Sequence, residues 1–356
     1  MDKNKNISKK KFPIIPFVWF IFSLIVIFII LWIFFIINKE MEKNGIKSFD
    51  KSIPIPDGFY FVGGTKDTGF VISDSEDDYK KGISYKSLKG LDGNQFVWVP
   101  VENPVAEDET QLRKMIEEKK YPMAIKQEGG YKAILYNFDS ELKKYNPILG
   151  NVEIREPIDI KETYANTLDK KSEENRENLY QDSFNNMVES VIKYKGFYIS
   201  RFEVGNINNA IKNNEKVVSK KGQSDIASFS WFEYYDAIKN MYNRDDITTE
   251  MIWGCQWDST LRWMLNTSDS YYNLSYSFGN FSGNKMETGS NESYSLNNIY
   301  DMLGNVSEYT QTGAYTSSRV ARGSDYRINK SIFSIEYYSL SYVYENVGSR
   351  VTLYMK

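Results

Sequence analysis

The sequence predicts an α+β domain with much irregular loop, preceded by one N-terminal transmembrane helix. Three observations carry this reading. Residues 12–37, FPIIPFVWFIFSLIVIFIILWIFFII, hold no charge over about 26 positions, and a bilayer-spanning helix takes about 20. Short aromatic and β-branched runs bounded by glycine and aspartate then follow, as strands and hairpins require. Three stretches of the second half repeat apolar residues at helical spacing, separated by loops rich in Ser, Asn, Gly and Tyr.

The N-terminal element comes first. Lys3, Lys5, Lys9, Lys10 and Lys11 stand before the apolar run against Asp2 alone, and the flank after it, NKEMEK, is nearly balanced. The positive-inside rule then makes residues 1–11 a basic cytoplasmic tail. The run is too long for the apolar region of a signal peptide, and no small-residue cleavage site follows, so an uncleaved single-pass anchor in the cell membrane is predicted. Residues 38–52 form a polar tether, and 53–356 an extracytoplasmic domain.

Within that domain FYFV, GFVIS and QFVWVPV are the first expected strands. From about 101 to 182 the chain turns charged, with helical pieces such as ETQLRKMIEEKK and KKSEENRENLY, and is read as an insertion. Three amphipathic helices follow. In SFNNMVESVIKYKG, Phe184, Met187, Val188, Val191 and Ile192 share a face, Asp182 or Ser183 caps the start and Gly196 ends it. In SWFEYYDAIKNMY, Ser230 and Glu233 form a capping box, with Trp231, Tyr234, Ile238 and Met241 offered to the core. In CQWDSTLRWMLN, Trp257, Leu261, Met264 and Leu265 do the same.

Composition removes most familiar chemistry. The chain has no histidine and one cysteine, Cys255. There is no histidine relay, no histidine-held zinc or iron and no internal disulfide. Net charge is -3, and the lysines before residue 12 leave the remainder more acidic still. A nucleic-acid partner, which calls for a basic face, is not expected.

The segment NIYDMLGNVSEYT, residues 298–310, sets a Gly-Asn turn between Asp301 and Glu308 in apolar surroundings. Ca²⁺ takes six to eight hard oxygens, and a glycine-bearing turn aims carbonyls between two carboxylates. The bland alternative is that these acids cap local N–H groups or pair with Arg319 or Arg322.

The motif order GFYISRFEVGN, SWFEYYDAIKNMY, IWGCQWDSTLRWML, NIYDMLGNVSEYT, RVARGSDYR and GSRVTLYM resembles the formylglycine-generating enzyme, or sulfatase-modifying-factor, family. The resemblance covers roughly residues 195–355 and is most specific over Tyr300 to Val306. It implies a C-type-lectin-like fold, and a structural calcium site built from the side chains of Asp301 and Glu308 with the carbonyls of Gly304 and Val306. The family's copper cysteines after the RGGSW segment have no counterpart in RGSDYRINKSIFSIEYYS, and the histidine cluster of its iron-dependent branch is absent. Neither copper nor iron is expected.

Cys255 at a helix start would be acidified by the dipole, but flanked by two tryptophans it reads better as an inert core thiol. A carboxylate hydrolase acting on cell-surface glycans, drawing on Glu203, Asp301, Glu308 or Asp325, is the alternative function. The favoured one is a non-enzymatic binding or structural module for a protein or glycan at the cell surface. The tyrosines of SYYNLSYSFGNFSG and SIFSIEYYSLSYVY would supply contact area among adaptable polar groups.

Overall fold

The computed structural model describes residues 25–32, 50–80, 93–139, 144–148, 154–155, 176–213, 215–224, 226–267, 279–314, 318–328 and 335–356. The chain divides into two units, Met1–Ser48 and Phe49–Lys356.

The first unit corrects a sequence expectation. The described part of the 12–37 stretch is a helix over 25–32, and among the described residues no helix is long and apolar enough to cross a membrane. The predicted transmembrane helix is therefore not upheld. The membrane anchor, the cytoplasmic tail and the extracytoplasmic placement that rested on it fall with it. The rest of residues 12–37 lies outside the described residues.

The second unit is built around a sheet of six strands. In spatial order they are Tyr60–Gly63, Val71–Ser73, Gln95–Pro100, Gly196–Ser200, Val351–Met355 and Ile247–Met251. All neighbours in it are antiparallel. The strand Gln95–Pro100 shows why the sheet is covered twice. Its period of two sends Val97 and Val99 to one face and Phe96 and Trp98 to the other, so both faces need apolar cover. On the first face lie Phe184, Met187, Val188 and Val191 of helix Arg176–Tyr194, with Trp257, Leu261, Met264 and Leu265 of helix Gly254–Thr267. On the second lie Trp231, Tyr234 and Ile238 of helix Trp231–Lys239. The apolar faces read from the sequence are the buried ones.

Helix ends follow local chemistry. The capping box is present, with Ser230 and Glu233 each bonding the other's backbone. Helix Arg176–Tyr194 begins earlier than the expected cap at Asp182 or Ser183, and it ends at Lys195, which adopts the left-handed φ of 62°. Gly196 opens the following strand instead of closing the helix.

A second sheet orders Ile335–Ser339, Ser318–Arg322, Ser307–Ala314 and Val347–Ser349, with Ile154–Arg155 also paired to Ser307–Ala314. Its last two ordered strands run parallel. Arg350 is the single residue between Val347–Ser349 of this sheet and Val351–Met355 of the first. In the 101–182 stretch, helix Glu109–Glu117 and strands from Val105 to Ile148 enclose a small separate core around Leu112, Ile134 and Tyr136.

The fold class is corrected accordingly. In place of a C-type-lectin-like domain behind a membrane helix, the described residues form a mixed α/β assembly with six helices and many short strands. Strand residues buried on both faces, as in Val71–Ser73 and Val351–Met355, require helices on both sides of the main sheet.

Candidate functional site

The turn singled out in the sequence sits in the core between the two sheets. Asp301, Gly304 and Asn305 carry positive φ values of 52°, 77° and 57°, so the chain doubles back over a few residues. Gly304 is required there. A Cβ at this position would lie 2.6 Å from the carbonyl oxygen of Asn280, in a backbone region that other residues rarely adopt.

The turn delivers Asp301 and Glu308 into the interior, where Glu203 joins them from the segment after strand Gly196–Ser200. Their exposures are 4%, 0% and 1%. Glu308 is held at both oxygens. Arg350 Nε donates to Oε1 at 2.7 Å, with Nη2 at 2.5 Å from the same oxygen, and Trp257 Nε1 donates to Oε2 at 2.8 Å. The guanidinium also donates to the carbonyls of Ser200, Tyr300 and Asp301. Glu203 accepts from Asn305 Nδ2 at 2.6 Å and from the backbone N–H of Val306 at 3.2 Å. Asp301 is the least engaged, with one long bond from the Gly289 N–H at 3.4 Å.

Three carboxylates thus share one guanidinium. Burial pushes all three acids up in pKa. For Glu203 the neighbouring Asp301 adds to the effect of burial, and Asp301 rises to about 7. The cause is common to them, because ionised groups without water need a counter-charge, and Arg350 supplies only one.

Other expected residues lie elsewhere. Asp325 is bonded to Arg327 and Asn346, and although burial works to raise its pKa, those bonds leave it lowered. Arg322 pairs with Asp258 at 2.5 Å and lies over the Trp257 ring, while Arg319 lies over Trp231. Neither is the partner of Glu308. Sequence reasoning missed Arg350, although GSRV was in view, because nothing local ties it to a position 42 residues earlier. Cys255 is fully buried in the core of the first sheet face.

As for a metal, Gly304 and Val306 bring their backbone into the same turn, but both oxygens of Glu308 are already committed to protein donors. Among the described residues no group of three or more Asp, Glu or Cys is placed to hold an ion. Bound Ca²⁺ would have to displace Arg350 or Trp257 from Glu308, or rely on Asp301 and carbonyls.

Two clefts of the second unit are lined by residues other than these acids. One, of about 390 Å³, is lined by residues including Lys119, Tyr121 and Arg262. Another, of about 580 Å³, is lined by residues including Ser190, Glu250 and Tyr354. Of the two tyrosine-rich segments, residues 270–278 and 331–334 lie outside the described residues. In the described part Tyr337 and Tyr342 are exposed, and Tyr338 stacks edge-on against Tyr344.

No family model matches the chain, and no curated protein does. The comparisons therefore give no support to the family, lectin-like or calcium expectations. Among solved structures, the crystal structure of CarF aligns with a TM-score of 0.33 and 15% identity over 46% of this chain and 87% of that one. So low a likeness carries no argument about fold or function.

Proposed function

We propose that the chain is a non-enzymatic binding or structural module for a protein or glycan, related to the formylglycine-generating family by its motif order but without that family's copper cysteines. The observation that carries the reading is the closure of Glu308, whose two oxygens are held by Arg350 and Trp257 with no solvent exposure. A carboxylate so placed joins strands and cannot reach a substrate. The alternative, a carboxylate hydrolase, needs a pair of acids open to a cleft. Glu203, Asp301 and Glu308 are all buried.

The test is turnover. The full chain incubated with a panel of glycans and with cysteine-containing peptides should leave their masses unchanged. Product that disappears in Asp301→Asn, with the melting transition intact, would replace this reading with an enzymatic one.

Calcium is the second reading of the acid centre, favoured by the excess of three carboxylates over one guanidinium. Asp301, Glu308 and the carbonyls of Gly304 and Val306 would hold the ion, which would supply the missing positive charge.

A further inference from the structure

We infer that the cleft beside Arg262 binds a small oxyanion, a carboxylate or a phosphate group. The cleft of about 390 Å³ is bounded by helix Gly254–Thr267 and by the turn after helix Glu109–Glu117. Arg262 forms part of its wall and is 5% exposed. Its Nη2 donates to Ser259 Oγ at 2.9 Å and to the Tyr121 carbonyl at 3.4 Å, while Nη1 is buried with no acceptor. Among the described residues no carboxylate pairs with it. Asp258, one turn earlier on the same helix, is committed to Arg322 and to the Tyr136 N–H.

Three aromatic rings surround the guanidinium instead, those of Tyr136, Tyr145 and Tyr121 at 4.6, 5.6 and 5.8 Å. Ring faces attract the cation but offer no in-plane lone pair to its N–H groups. With Nη1 unsatisfied and no carboxylate paired to it, the guanidinium lacks one acceptor and a counter-charge, and an oxyanion in the adjoining cleft would supply both.

The rim adds positive charge. Lys119, held at a φ of 58°, has no ion-pair partner among the described residues. Lys120 and Lys66 make only exposed pairs, with Glu118 and Glu102, which water screens. Asp67 and Glu102 also line the cleft and limit it to a small anion of low charge. The site deepens the binding-module reading and rests on it only in that the anion is held, not converted.

Calorimetric titration of the full chain at low salt, with inorganic phosphate, glucuronate and neutral glucose as probes, tests this. Saturable binding of phosphate, glucuronate or both, without glucose, is expected. Removing one charged hydrogen-bond donor in Arg262→Gln should weaken it roughly tenfold or more. Should that variant lose its melting transition, Lys119→Gln combined with Lys120→Gln serves, with binding expected to fall at least ~threefold and the salt dependence to flatten. Binding of phosphate alone identifies a phosphate ligand, and of glucuronate alone a carboxylate. No saturation by either anion, or unchanged affinity in the folded variants, overturns the site while leaving the non-enzymatic reading intact. Conversion of a bound probe would overturn that reading and leave the site.

Discussion

Glu308 and Arg350 form an ion pair in which neither side chain is exposed, with Arg350 Nη2 2.5 Å from Glu308 Oε1. Arg350 is the residue through which the chain passes from the second sheet to the first, and Glu308 lies in the strand Ser307–Ala314 beside it. The pair joins the two sheets at the point where the backbone does. Removing one partner leaves the other charged and dry, which costs about 3–5 kcal/mol. Arg350→Met should therefore lower stability by that order in urea denaturation, and Glu308→Leu in the same background should return part of it. A double variant no more stable than the worse single one would show that the pair does not act as a unit.

Much of the architecture was legible because it is local. The apolar stripe of Trp231, Tyr234 and Ile238, its Ser230–Glu233 cap, and the strand Gln95–Pro100 depend on residues close in sequence. Asp301 and Glu308 were legible as a polar centre because a Gly-Asn turn separates them. Their partners Arg350 and Trp257 were not, and Glu203 stood only among several candidate acids, since each arrives from a distant element and only the packed sheets bring them together. The apolar run over 12–37 was read as a membrane span from its uncharged length, whereas among the described residues no helix is long and apolar enough to cross a membrane.

The cap offers a clean local test. Ser230 Oγ accepts from the Glu233 N–H, and Glu233 returns a bond to the Ser230 N–H at 2.7 Å. Ser230→Ala should cost about 1 kcal/mol by chemical denaturation, leaving the midpoint transition cooperative. No loss would mean that Trp231 packing alone fixes the helix start.

Stability should also depend on pH through the acid centre. The Asp301 pKa rises from 3.8 to about 7 on folding, so the native state holds its proton more tightly than the unfolded chain. The sign follows directly. The contribution is fully present below pH 3.8, is lost as pH climbs toward 7, and amounts to roughly 4 kcal/mol across that window. Glu203 and Glu308 are shifted in the same direction by burial and add to the decline. Melting temperature should fall between pH 4 and pH 7, and Asp301→Asn, which cannot ionise, should flatten part of that slope. An equal slope in the variant would assign the titration to other groups.

Calcium would reverse that dependence, which makes the two readings of the centre separable. An ion at Asp301, Glu308 and the carbonyls of Gly304 and Val306 favours the ionised carboxylates, so stability would be retained toward neutral pH and lost in chelator. The measurement is the melting curve of the full chain at neutral pH with and without chelator, beside elemental analysis of the purified protein. On the calcium reading one equivalent of calcium is found, chelator lowers the transition, and Asp301→Asn abolishes that sensitivity. A melting curve unchanged by chelator sinks the metal site and leaves Arg350 as the cation of the centre, consistent with the way it already occupies Glu308.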